Sequence, residues 1–258
     1  MFLKTIDFSK YSSIKVGQPT EVLMIEKEDE IPNDRYLIGG ANNLLLSPTP
    51  PPLIMLSKDF SYIKNENGFL TIGAATPSGR IVSYAKKHNI AGFEFCAKLP
   101  GMLGGLLAMN AGVKEYEIFN ILDAIEIEGK WIEKDTIPYG YRYAKLGGIA
   151  TAARFKIEKG YSQALNDTLQ ALRANQPKEP SAGSAFKNPV GDSAGRLIEA
   201  VGLKGVQRGG MAWSTIHANF LVNLGGGTYE ESLYLLTLAK ERVLELFNVV
   251  LEEEIKLL

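Results

Sequence analysis

Residues 99–112 read Leu-Pro-Gly-Met-Leu-Gly-Gly-Leu-Leu-Ala-Met-Asn-Ala-Gly. Pro100 and Gly101 break the chain, Gly104 and Gly105 lead into an apolar run, and Asn110, Ala111 and Gly112 close it. Glycines at the start of a helix leave backbone N–H groups free and let the main chain approach a ligand closely. A diphosphate suits such a place, with the helix dipole assisting. The competing reading is a plain turn with a close helix–sheet contact, and this stretch alone does not separate the two. A second cluster, Gly39-Gly40-Ala41-Asn42-Asn43 followed by Leu44, comes after the hydrophobic run 35–38. Two glycine clusters that each carry an amide side chain favour the ligand.

The familiar nucleotide signatures are missing. No G-x-G-x-x-G follows a strand, and neither G-x-x-x-x-G-K-[ST] nor H-E-x-x-H occurs. Short strands are predicted at 21–26, 35–38, 53–56 and 69–72, bounded by turn residues. Residues 48–52, Pro-Thr-Pro-Pro-Pro, read as a rigid connection between two strands. Thr76 as N-cap and Pro77 at the first helical position open a helix to about His88, with Ile81, Val82 and Ala85 inward. Further strands are expected at 121–128 and 149–158, and helices at 161–174 and 193–200. Thr228 and Glu231 form a capping box for a long helix ending near Phe247. Its inward stripe reads Leu233, Leu236, Ala239, Val243, Leu244 and Phe247, and a strand at 255–258 ends the chain. The shift from strand-rich to helix-rich places a domain boundary near Gly160.

Bulk properties narrow the function. A net charge of −1 and a pI of about 6.2 give no field that attracts nucleic acid or acidic membranes. No run of about 18 apolar residues exists to span a bilayer. Cys96 is the only cysteine and there are two histidines, which leaves no internal disulfide and argues against a metal site. A soluble protein of a reducing compartment is expected.

Three more stretches bear chemistry. Residues 180–189, Pro-Ser-Ala-Gly-Ser-Ala-Phe-Lys-Asn-Pro, offer hydroxyls, a cation and an amide on an irregular segment, although alone they read as a solvated loop. In residues 139–143, Tyr-Gly-Tyr-Arg-Tyr, stacking could fix a guanidinium for a carboxylate or enolate. The plainer reading has tyrosines on a sheet face and Arg142 reaching solvent. Residues 252–254, three glutamates, read as a solvated charge run.

Taken in order, these pieces resemble the UDP-N-acetylenolpyruvoylglucosamine reductases, from Val16-Gly17 through Glu254. The similarity is carried by residues 99–105 with Asn110-Ala111-Gly112, by Tyr141-Arg142, by 183–189, and by His217-Ala218-Asn219-Phe220. It implies an α+β chain. An FAD-binding domain of the vanillyl-alcohol-oxidase type, two small α/β subdomains split near 60, would span 1–159. A substrate domain would span 160–258, its last strand returning to the flavin domain.

The implied activity is NADPH-dependent reduction of UDP-N-acetylglucosamine enolpyruvate to UDP-N-acetylmuramate, for peptidoglycan precursor synthesis, by a cytoplasmic monomer. FAD would be noncovalent, held by Gly39, Gly40, Asn42, Asn43, Leu44, Pro100, Gly101, Gly104, Gly105, Asn110, Ala111 and Gly112. The family's catalytic residues fall on Arg142, Ser184 and Glu254, and substrate contacts on Tyr141, Lys187 and Asn188. In such enzymes NADPH reduces the flavin, N5 passes hydride to the substrate C3, and a serine protonates C2. Arg142 and a protonated or water-bridged Glu254 would then oppose the enolate charge. Lys187 would help the Ser184 alkoxide.

Two departures stand out. The flavin loop more often reads Gly-Gly-Gly-Ser-Asn, where this chain has Ala41 and Asn42. Gly160 also passes straight into the next helix, leaving no room for the tyrosine-bearing substrate loop of longer members. Two rivals remain open. An oxygen-using flavin oxidase of the same fold does not require 183–189 or Glu254. A nucleotide-binding regulator would keep 100–105 but needs neither Arg142 nor Ser184.

Overall fold

In the computed structural model, which describes residues 1–258, the chain sorts into two units by space rather than by order along the sequence. Residues 1–4, 22–40 and 52–174 form the first unit, and 5–21, 41–51 and 175–258 form the second.

The first unit is built on a five-stranded antiparallel sheet, ordered Lys130–Glu133, Leu122–Ile127, Ala150–Lys156, Phe69–Gly73, Ile63–Glu66. Period-two alternation turns Leu70, Ile72, Ile125 and Phe155 to one buried face. Ile81 and Ala85 of the helix Ser78–Lys87 pack there, and Phe93 meets Phe155 edge-on at 5.1 Å. Beside this sheet Leu53–Leu56, buried along its whole length, is flanked in parallel by Pro19–Ile25 and Tyr36–Leu37.

Thr76 is not the cap of its helix. Its hydroxyl donates to the Tyr62 carbonyl at 3.1 Å, and Pro77 takes the N-cap position. The Ser78 amide is instead satisfied by the carbonyl of Gly101 at 3.0 Å, so the glycine loop itself closes the helix end. The helix after Gly160 spans Gln163–Ala171, with Ser162 as N-cap. It belongs to the first unit: Ser162 N–H donates to Glu94 Oε1 at 2.8 Å, and Asn166 Nδ2 to the Glu94 carbonyl at 3.2 Å. The break in space therefore falls after Ala174, beyond the change in composition at Gly160.

The second unit carries an antiparallel sheet ordered Ser181–Ser184, Phe220–Asn223, Met211–Trp213, Gln207–Arg208. Helices Ala194–Ala200 and Tyr229–Phe247 pack on it. The long helix buries Ser232, Leu235, Leu236, Ala239 and Val243, whereas Leu233 and Leu244 are 39% and 46% exposed. The expected stripe was thus right at Leu236, Ala239 and Val243 but one position off at Leu233 and Leu244, because the apolar arc is wider than the buried one. Ile14, Val16 and Leu45 fill this same core, which is why 5–21 and 41–51 belong here. The closing strand Lys256–Leu257 pairs in parallel with Leu44–Leu45. No helix is long and apolar enough to cross a membrane.

The capping box forms as read: Glu231 N–H donates to Thr228 Oγ1 at 3.2 Å, and Thr228 N–H to Glu231 Oε2 at 3.1 Å. Glu231 Oε2 also accepts the Gly210 amide at 3.1 Å. Thr228→Ala should cost about 1 kcal/mol. Glu231→Ala should cost more, since it strands two amides, and urea midpoints at unchanged slope would show that order.

Candidate functional site

The glycine loops meet within the first unit. A Cβ built on Gly39 would lie 3.9 Å from the Cβ of Met102. The amides of Leu103 and Gly104 donate to the carbonyls of Thr76 and Ala74 at 3.0 and 2.8 Å. A Cβ on Gly104 would meet the Ala74 Cβ and carbonyl oxygen, both at 3.4 Å. Gly104 therefore fastens the helix Leu103–Ala108 to the end of the sheet, and its amide is not available to an anion. Gly105 differs, since a Cβ there would meet nothing within 4 Å. Any anion would fall to the amides of Gly101, Met102 and Gly105. The helix has six residues, too short for its dipole to be the main attraction.

Asn110 is fully buried with φ +40°. Its Nδ2 donates to Glu117 Oε2 at 2.8 Å and to the Gly140 carbonyl at 3.2 Å, and its Oδ1 accepts from the Phe119 amide at 3.2 Å. Its side chain is thus occupied within the protein, tying the exit of the glycine stretch to the hairpin Tyr139–Gly140 and Tyr143–Ala144. Arg142 forms the tip of that hairpin with φ +62°. Its Nη2 donates to the Gly112 carbonyl at 3.3 Å, and the guanidinium lies 4.9 Å from the ring centre of Tyr141. Tyr139 packs on Phe119 at 4.4 Å.

The segment that follows Ser184 is bonded to the segment that bears Glu254 in the second unit. The Ala185 carbonyl accepts from the amides of Glu254 at 2.9 Å and Ile255 at 3.3 Å, and Lys187 N–H donates to the Glu252 carbonyl at 2.8 Å. Asn43 Nδ2 donates to the Glu254 carbonyl at 2.8 Å, so the main chain of Glu254 is held from both sides. Ser13 fixes the preceding loop, its amide on the Ala41 carbonyl at 3.1 Å and its hydroxyl on that of Asn42 at 3.2 Å. Leu44 pairs with Lys256. Asn188 Oδ1 accepts the Ala194 amide at 3.1 Å, the first amide of a helix whose N-cap is Ser193.

The acidic run is solvated only in part, with Glu252 71% exposed at its side chain and Glu253 and Glu254 half-buried. Glu252 pairs with Lys187 at 2.5 Å, Glu253 with Lys240 at 2.8 Å, and Glu254 is half-buried. Lys187, the cation nearest Ser184 in sequence, thus has its charge already opposed.

Three other groups hold quiet positions. Cys96 is buried, and desolvation pushes its thiol far above the ordinary range. His217 Nδ1 accepts the Asn219 amide at 3.3 Å, and burial lowers the imidazole's proton affinity. His88 stacks on Tyr84 at 4.2 Å. Sequence reasoning gave no role to Glu117, whose one signal is its spacing from Asn110.

A family profile for the C-terminal domain of UDP-N-acetylenolpyruvoylglucosamine reductase matches residues 176–258. The chain is 50% identical over 257 residues to the UDP-N-acetylenolpyruvoylglucosamine reductase of Helicobacter hepaticus, covering 98% of each. It is 44% identical over 258 residues to that of Helicobacter pylori, covering 100% of both. The crystal structure of UDP-N-acetylenolpyruvylglucosamine reductase from Thermus caldophilus matches with a TM-score of 0.85 at 31% identity, covering 100% of this chain and 99% of that one. The α+β fold expected from the resemblance stands.

Asn110→Ala would strand the Phe119 amide in the core and release Gly140. We expect a loss of at least about 2 kcal/mol in denaturant unfolding. A loss near zero would show that the hairpin does not depend on this amide.

Proposed function

The chain belongs to the UDP-N-acetylenolpyruvoylglucosamine reductase family, and on that basis we propose that it reduces UDP-N-acetylglucosamine enolpyruvate to UDP-N-acetylmuramate for peptidoglycan precursor synthesis. The proposal includes noncovalent FAD, NADPH as hydride donor, and a cytoplasmic monomer with no nucleic-acid or membrane partner.

The observation that carries it is the approach of Gly39 to Met102, with the Gly105 backbone bare of side chains. That cradle suits a dinucleotide. Gly39, Gly40, Pro100, Gly101, Gly105, Ala111 and Gly112 would line it, while Gly104 and Asn110 would shape it from behind; Asn42, Asn43 and Leu44, which follow Gly40 in the chain, are assigned to the same cofactor. When bound, the flavin supplies the hydride chemistry.

The chain's own residues then deal with charge and protons. Arg142, its guanidinium planar and stacked on Tyr141, offers paired donors to the substrate carboxylate where enolate charge gathers. Glu254 assists by donating a hydrogen bond, which requires it protonated or bridged by water. Ser184 gives a proton to the substrate C2, and the resulting alkoxide needs nearby donors. Lys187, opposed by Glu252, contributes less to this than an isolated cation would. Tyr141, Lys187 and Asn188 are assigned to the substrate's polar groups.

Gly105→Val separates cofactor from packing. A Cβ there has nothing within 4 Å, and valine is a better helix former than glycine. The variant should fold as well as wild type yet purify nearly colourless; a full flavin complement would make Gly105 an ordinary helical residue. Gly104→Val is the poorer test, because it builds onto a contact already 3.4 Å from Ala74 and so mixes packing with cofactor binding.

Ser184→Ala separates the half-reactions. In stopped flow, flavin reduction by NADPH should stay close to wild type, while reoxidation by the enolpyruvyl substrate should slow by about 10²–10⁴-fold. Equal slowing of both would make Ser184 structural.

A further inference from the structure

Asn219 takes no part in the chemistry set out above, yet its side chain is buried, at 3% exposure, against the backbone that follows Ser184. Its Nδ2 donates to the Phe186 carbonyl at 2.8 Å, and its Oδ1 accepts the Phe186 amide at 3.0 Å. Its main-chain carbonyl accepts the Ala185 amide at 2.8 Å. These bonds stand where regular strand pairing fails. Ser181 pairs with Val222 and Ser184 with Phe220, so three steps on one strand answer two on the other, and the ladder stops at Ser184. The side-chain amide of Asn219 then supplies Phe186 with the donor and the acceptor that a neighbouring strand would have given.

On its other side the same segment is bonded to the end of the chain, through the Ala185 carbonyl to Glu254 and Ile255 and through the Lys187 amide to Glu252. Residues 185–187 are therefore held from both flanks, with Ser184 at one end and Glu254 bonded across. The fixture itself is braced: His217 Nδ1 accepts the Asn219 amide at 3.3 Å, and Phe186 stacks on the buried Trp213 at 6.0 Å. No other side chain does this in the space available. Glutamine is a methylene too long, the single oxygen of serine cannot stand at both the Phe186 carbonyl and its amide, and aspartate turns a lone pair toward the Phe186 carbonyl.

We propose that Asn219 is a positioning residue, holding the Phe186 main chain so that Ser184 and Glu254 keep one fixed spacing for proton delivery and enolate stabilisation. This rests on the roles given to Ser184 and Glu254 above. A displacement of about 1 Å in a reacting group can cost on the order of 10²-fold in rate.

The test is stopped flow on the purified flavoprotein carrying Asn219→Ala, Ser184→Ala, or both. Asn219→Ala should leave flavin reduction by NADPH within about twofold of wild type and slow reoxidation by the enolpyruvyl substrate by about 10–100-fold. In the double variant, reoxidation should fall no more than about threefold below Ser184→Ala alone, because the two act on one transition state. Hydrogen exchange gives a readout independent of turnover: the Phe186 amide should exchange faster, with the helix Tyr229–Phe247 unchanged. Equal slowing of both half-reactions, fully multiplicative losses, or an unchanged Phe186 amide would overturn the proposal. If Ser184→Ala alone leaves reoxidation intact, the assignment of Ser184 fails first and takes this one with it. Should Asn219→Ala not fold, the isosteric Asn219→Asp keeps the acceptor for Phe186 and is measured in the same way. Failure of both to fold would leave Asn219 a purely structural residue.

Discussion

A buried peptide group that lacks a strand or helix partner still needs one, and leaving it without costs about 1–3 kcal/mol. Much of this protein is organised by that requirement, because the segments proposed to do chemistry are irregular. Asparagine meets it repeatedly. Asn110 serves Phe119 and Gly140, Asn219 serves Phe186, and Asn166 serves Glu94. Asn223 donates to the carbonyls of Ile14 and Lys15 and accepts the amides of Gly225 and Gly227. One short side chain with an acceptor and two donors can replace a strand edge where no strand runs.

The consequence is rigidity without regularity. A native protein has roughly 5–15 kcal/mol of stability in all, so an amide that would strand two groups if removed holds its segment to one geometry. The hairpin bearing Arg142 and the segment after Ser184 gain precision this way, although neither lies in the interior of a sheet. Asn43 extends the pattern to the acid itself, since its amide grips the Glu254 carbonyl while its own carbonyl accepts from Lys256. Residues 41–43 and the chain's final residues are thereby fastened to each other within the second unit.

What could be read from the residues was local. Thr228 and Glu231 are three apart, and their reciprocal bonds need nothing from elsewhere in the chain. Thr76 looked like an equally good cap, but the Tyr62 carbonyl, supplied by tertiary structure, takes its hydroxyl. Periodicity found the long helix, yet Leu233 and Leu244 were drawn inward because hydrophobicity marks an arc and only packing selects its buried part. The allocation of Ile14, Val16 and Leu45 to the second core was not legible, since Leu45 is placed by a parallel pairing only two residues long and the Ile14 and Lys15 carbonyls are held by Asn223, far along the chain. The acidic run hid two ion pairs for the same reason: Lys187 and Lys240 are far from it in sequence. The motif containing Asn219 was visible, but its use depends on a bulge in a strand that no spacing announces.

Backbone strain separates two kinds of departure from the expected pattern. Ala41 and Arg142 both have left-handed backbone, at φ +48° and +62°, where a non-glycine residue costs about 1–2 kcal/mol. Asn110, at φ +40°, tolerates it better through its short polar side chain. At Ala41 the methyl is buried, and burial worth about 0.8 kcal/mol offsets much of the strain. An alanine where the resemblance more often has glycine therefore costs at most about 1 kcal/mol. Arg142 has no such return. It sits among Tyr139, Tyr141 and Tyr143, all exposed, at a hairpin tip where glycine or asparagine would cost less. Lys15, Lys114 and Glu128 hold the same left-handed backbone elsewhere, so the strain at Arg142 marks a tight turn and not a function. What fixes the guanidinium is its own contacts, the Gly112 carbonyl at 3.3 Å and the Tyr141 ring centre at 4.9 Å.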